Sequence, residues 1–182
     1  MVKIIKVKTE IKLKKAEITA IERHPVPVLG KDYGVKIIYK NIKIAELDVE
    51  DTTIKISLPN KYKKGDNKKI LDLAIEKMYE EIAKVEIENA MEKFRIMLGF
   101  APEDYKISKI IKGFGKCENN KITINPYIIK YNRKFIEYVV LHEYCHLKYK
   151  SHCRSFYELL AKYEPNYEFY EQLISNATET IK

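Results

Sequence analysis

Three of the four histidines in this 182-residue chain fall between residues 142 and 152, as His142-Glu143-Tyr144-Cys145-His146 followed by His152. A neutral imidazole is a favoured ligand for zinc, and a helix places residues i and i+4 one above the other on the same face. His142 and His146 can therefore reach one ion together. Glu143, one step round the same turn, stands beside the ion's remaining position, where a carboxylate can accept a proton from a polarised water. The spacing points to hydrolysis by a zinc-activated water.

With 4 His and 20 Glu in the chain, a chance H-E-x-x-H has a probability of about 1 in 100. The bland alternative is a core helix whose histidines are satisfied by ordinary hydrogen bonds. The flanking residues speak against it: Phe135, Val139, His142 and His146 form one stripe, with Ile136, Val140 and Leu147 beside it. Such a helix is buried on most sides, and a buried imidazole pair needs partners that a metal supplies.

His152 is the expected third ligand. Six residues past His146, it leaves room for the helix to end and the chain to fold back over the ion. A rival arrangement takes a carboxylate from a later helix, and Glu158, Glu164 and Glu168 are available for it. A purely structural zinc would be closed by four protein ligands, with Cys145 or Cys153 as the fourth. Cys117 makes the cysteine count odd, and the three spacings give no disulfide framework.

The elements that must hold these residues divide the chain into residues 1–60, an N-terminal β region; residues 61–104, a linking helix; and residues 105–182, the core that carries the chemistry. In the first part Ile4 to Leu13, Ile18 to Arg23, Val35 to Tyr39, Ile42 to Leu47 and Thr53 to Leu58 read as strands, two of them joined at Lys40-Asn41. The expected sheet is antiparallel. His24, before a proline and far from the other histidines, reads as a strand-end residue. From Lys68 to about Leu98, apolar residues from Ile70 to Phe94 recur at three and four, Val85 among them, with acids between them: a scaffold helix.

Two strands follow, Tyr105 to Ile111 and Lys121 to Asn125, with Ile107, Ile111, Ile122 and Ile124 on one buried face and Cys117 to Asn120 in the connection. Pro126 opens a short helical stretch. Asn132 is placed to cap the metal helix, which runs to about Lys148. A further helix extends from His152 or Cys153 to Tyr163, is stopped by Pro165, and a last one begins at Tyr167. The fold class expected is α+β.

The net charge is +8, spread as +4 over residues 1–60, −1 over 61–104 and +5 over 105–182. Between Tyr105 and Lys134, Lys106, Lys109, Lys112, Lys116, Lys121, Lys130, Arg133 and Lys134 face one acid, Glu118. Such a block would attract nucleic acid or an acidic substrate. The competing explanation is compositional, 30 Lys against 4 Arg, as in heat-adapted proteins. No apolar run of membrane-spanning length and no apolar signal core occurs, so the expectation is a cytoplasmic protein without a membrane partner.

Several local motifs agree with one family. Gly115-Lys116-Cys117, Ile122-Thr123-Ile124-Asn125, Tyr138-Val139-Val140, His142-Glu143-Tyr144-Cys145-His146, His152 and Phe156-Tyr157 follow in order. Over Ile107 to Ile174 the chain resembles the YgjP-like zinc metallopeptidases, relatives of the SprT and WLM-domain proteases. It departs from them at Gly113-Phe114, where Arg-Trp is usual, and at Cys153-Arg154-Ser155 after the last histidine. Tyr149 stands where metzincins place glycine. The resemblance implies a zincin-like core, Zn²⁺ held by His142, His146 and His152, Glu143 as general base, and a peptide or protein substrate. Among its relatives it also suggests a protease recruited to DNA. The strand at Lys121 to Asn125 or its partner would hold the substrate as an added strand, and Tyr144, Tyr149, Tyr157 and Tyr167 are candidate donors to an oxyanion. The non-enzymatic rival is a binding module with a structural zinc.

Overall fold

A computed structural model describes residues 18–19, 25–63 and 68–179. The strand expected at Ile4 to Leu13, most of that at Ile18 to Arg23, and His24 lie outside the described residues.

Five strands form the N-terminal sheet: β1 (Ile18–Thr19), β2 (Val26–Val28), β3 (Lys31–Lys40), β4 (Glu46–Glu50) and β5 (Thr53–Pro59). The order is β1-β3-β5-β4, with β2 also paired to β3. The sheet is mixed, not antiparallel, because β5 inserts between β3 and β4 and runs parallel to β3, with Ile37 opposite Ile56. The alternation explains that choice. Ile54, Ile56 and Leu58 are wholly buried, so β5 belongs at the centre, whereas Glu46–Glu50 is acidic and suits an edge. The tight hairpin falls at Asp51-Thr52, where Asp51 takes φ 47, and not at Lys40-Asn41. The strand expected at Ile42 to Leu47 accordingly lies further along.

Helix α1 (Lys68–Leu98) buries Leu71, Met78, Tyr79, Ala83, Ile87, Ala90, Met91 and Phe94 along one stripe. Val85 turns outward instead. A second sheet follows, β6 (Asp104–Ile107), β7 (Gly115–Glu118) and β8 (Lys121–Ile124), in the order β6-β8-β7. Sequence reading missed β7, since Gly-Lys-Cys-Glu has no β-branched residue. The available signal was Asn119-Asn120, both at positive φ, a two-residue hairpin turn joining β7 to β8. Ile122 and Ile124 are buried as expected, but the strand stops at Ile107 and Ile111 is exposed.

A 3-10 turn (Pro126–Lys130) leads into α2 (Arg133–Lys148), then α3 (Arg154–Tyr163) and α4 (Tyr167–Glu179). The Asn132 side chain accepts from Phe135 N at 3.0 Å and caps α2. Helix α2 is the centre of the molecule, with every residue from Phe135 to Cys145 buried except Glu137. Its Tyr144 hydroxyl donates to the Met91 carbonyl of α1 at 2.9 Å. The N-terminal sheet braces the same region. Leu29 N donates to the Ile129 carbonyl, and Gly30, at φ +77, packs so closely on Asn132 that a Cβ would come within 3.0 Å of it.

Candidate metal centre

His142 and His146 project from the last two turns of α2, and His152 comes back over them from the link to α3. Their ligand atoms lie within 4.8 Å of one another, and they form the one such histidine, cysteine and carboxylate group among the described residues. Nε2 of His142 and Nε2 of His152 are 3.1 Å apart. His146 turns Nδ1 to the Tyr149 carbonyl at 3.0 Å, which fixes that proton and leaves Nε2 free. Beneath the three rings lies Phe156, fully buried, with its centroid 5.0, 4.7 and 4.8 Å from those of His142, His146 and His152. Burial and the neighbouring imidazoles hold His146 and His152 below the ordinary histidine pKa. Crowded imidazoles converging over an apolar floor are a donor set that fits zinc.

Glu143 is 5 % exposed, and its Oε2 has no hydrogen-bond partner. Burial raises its pKa from 4.5 to about 7, against a smaller opposing pull from His142. Its place is made by β7. A Cβ on Gly115 would meet Glu143 Oε1 at 2.6 Å and Cγ at 2.8 Å, so only glycine leaves room for this carboxylate.

The other candidates separate from the cluster. Cys145 is buried, its thiol raised to about 12 by desolvation, and Cys153 is exposed; neither thiol belongs to the histidine group. Glu158 pairs with Arg154, Glu164 accepts from Asn166 N, and Glu168 accepts from the Tyr167 hydroxyl. Tyr144 is committed to Met91 and drops out as an oxyanion donor. Tyr157 stacks along His152 with centroids 6.0 Å apart and in turn contacts Tyr167 at 5.5 Å. Strand β8 lies between β6 and β7, so both its edges are taken; its expected partner β6 and the strand missed in sequence, β7, are the two edges of this sheet.

Within the basic block, Lys109 pairs with Glu76 at 2.9 Å, Arg133 with Glu86 at 2.7 Å and Lys116 with Glu118 at 2.9 Å. Acids of α1 thus offset part of the charge. No described helix is long and apolar enough to cross a membrane.

One residue absent from the sequence reading joins the centre. Glu171, on α4, places Oε1 3.0 Å from His142 Nδ1 and accepts a hydrogen bond from the Tyr138 hydroxyl. Twenty-nine positions separate it from His142, and no local spacing signals such a contact.

The family model described as YgjP-like, metallopeptidase domain matches residues 2–177. Comparison with curated proteins finds no match. Among solved structures, the metallopeptidase zymogen of Pyrococcus abyssi abylysin is similar at 21% identity and TM-score 0.46, over 51% of this chain and 95% of that one.

Proposed function

Since the chain belongs to the YgjP-like metallopeptidase family, we propose that it hydrolyses peptide bonds with zinc held by His142, His146 and His152 and with Glu143 as general base. The observation that carries the reading is the Glu143 carboxylate: buried, with one oxygen unpartnered, and adjacent in sequence to a converging histidine. A buried carboxylate without partners is costly, and here the cost is matched by a use.

Zinc in this setting supplies Lewis acidity, polarising the scissile carbonyl and bringing the pKa of a water to about 7. Glu143 takes the proton of the attacking water on Oε2 and returns it to the leaving amine as the C–N bond breaks. The Tyr149 carbonyl holds His146 in one tautomer while Phe156 keeps bulk water from beneath the rings. The extended substrate pairs with the free edge of β7, the strand whose Gly115 borders Glu143.

Glu143→Gln tests the assignment. The amide keeps the shape and cannot accept the proton, so zinc stoichiometry should stay at wild-type level while peptide hydrolysis falls by about 10²–10⁴-fold. Loss of zinc together with activity would make Glu143 a ligand or a structural residue instead.

A further inference from the structure

Helix α4 reaches the metal centre through two adjacent side chains. Tyr170 stacks on Tyr138, with centroids 4.8 Å apart and planes at 19°. Next to it, Glu171 Oε1 stands 3.0 Å from His142 Nδ1, and the same oxygen accepts from the Tyr138 hydroxyl. Tyr138 and His142 are four apart on α2, so hydroxyl and ring nitrogen lie along one face and a single carboxylate spans both.

His142 Nδ1 is buried from water. The carboxylate sits off the axis of its N–H bond, and no aligned hydrogen bond reaches it among the described residues. A buried ring N–H without an acceptor is costly, and Glu171 is the group placed to offset that cost. The Nδ1 of His146 is served by the Tyr149 carbonyl at the same 3.0 Å. In each case Nδ1 keeps the proton and Nε2 is left to the cluster. For His142 the acceptor comes from a separate helix and carries charge.

We propose that Glu171 is a positioning residue of the metal centre, holding His142 through Nδ1 so that Nε2 faces the ion, with Tyr138 anchoring the carboxylate. Its oxygen faces the nitrogen remote from the His142–His152 contact, so it acts through His142 and is not itself a ligand. The proposal rests on the three-histidine reading above.

Zinc affinity of the full chain, measured by chelator competition, tests it alongside the visible absorption of the cobalt(II) form. Glu171→Ala should weaken zinc by about 10–100-fold and shift the cobalt band. Glu171→Gln, whose amide oxygen can still accept from Nδ1, should restore part of that affinity, and it keeps the test decisive if the alanine variant folds poorly. Leu173→Ala removes a core-packed side chain of the same helix and should lower the melting temperature while changing zinc affinity by less than about twofold. Wild-type affinity in both Glu171 variants would overturn the proposal. So would an equal loss in Leu173→Ala, which would make helix docking the cause, or a loss in Glu171→Ala as large as in His142→Ala, which would make Glu171 a ligand. His142→Ala separates the two levels: zinc binding unaffected there would remove the three-histidine reading itself.

Discussion

Glu143, next to His142 in sequence, and Glu171, against its Nδ1 from α4, have surroundings that give them opposite characters. On the β7 side, Glu143 is buried against Gly115, one oxygen has no partner, and burial moves its pKa up to about 7. On the α4 side, Glu171 is half-buried, and contact with His142, together with the Tyr138 hydrogen bond, holds its carboxyl below the ordinary range. A carboxylate left wanting a proton suits acid–base work, and one kept ionised by a donor and an imidazole suits holding a ring still. The difference lies in the elements that surround each residue, since both are plain glutamates one contact from His142.

The largest effect that would break this contrast comes from Gly115. A side chain there must displace the Glu143 carboxylate, since even a Cβ would sit 2.6 Å from Oε1. Gly115→Val should lower kcat/KM by about 10³-fold, within the range a positioned base contributes, with zinc affinity unchanged. Equal loss of zinc would show that β7 shapes the ligand cluster as well as the base.

A smaller effect sharpens the same contrast in the metal-free protein. Because burial raises the folded-state pKa of Glu143 from 4.5 to about 7, the folded state binds that proton more tightly than the unfolded chain. Its contribution is fully present below about pH 4.5 and is lost as pH rises through about 7. Glu143→Gln removes the titration. Chelated Glu143→Gln should therefore gain on chelated wild type by on the order of 3 kcal/mol between about pH 4 and about pH 8 in denaturant unfolding. A constant difference across that window would mean that Glu143 is not desolvated as described.

Much of this site was legible in the sequence because its signals are local. His142, Glu143 and His146 share one helix, Asn132 caps it at three residues' distance, and His152 follows within the next turn of chain. Glu171 and Gly115 were not legible in their roles, because each acts through a contact made only when a distant element packs on α2. The parallel pairing of β3 with β5 was lost for a related reason. The apolar alternation of β5 specifies a central strand without naming its neighbour, and the hairpin turn at Asp51 carries no glycine to mark it.

The smallest effect concerns the basic block, where the ion pairs of Lys109, Lys116 and Arg133 leave five of the eight cations without an acidic partner in those pairs. Any duplex DNA binding through the block should show a log–log salt slope no steeper than about −4.5. Lys112→Gln with Lys121→Gln should flatten it by about 2. Undetectable binding at low salt would leave the lysine-rich composition as the explanation of the charge.

The central claim, a catalytic zinc on three histidines, is tested most directly by X-ray absorption at the zinc edge of the purified protein. Three imidazoles and no sulfur should surround one zinc per chain. A sulfur neighbour at about 2.3 Å, or fewer than three imidazoles, would contradict it and point to a structural site or a different ligand set.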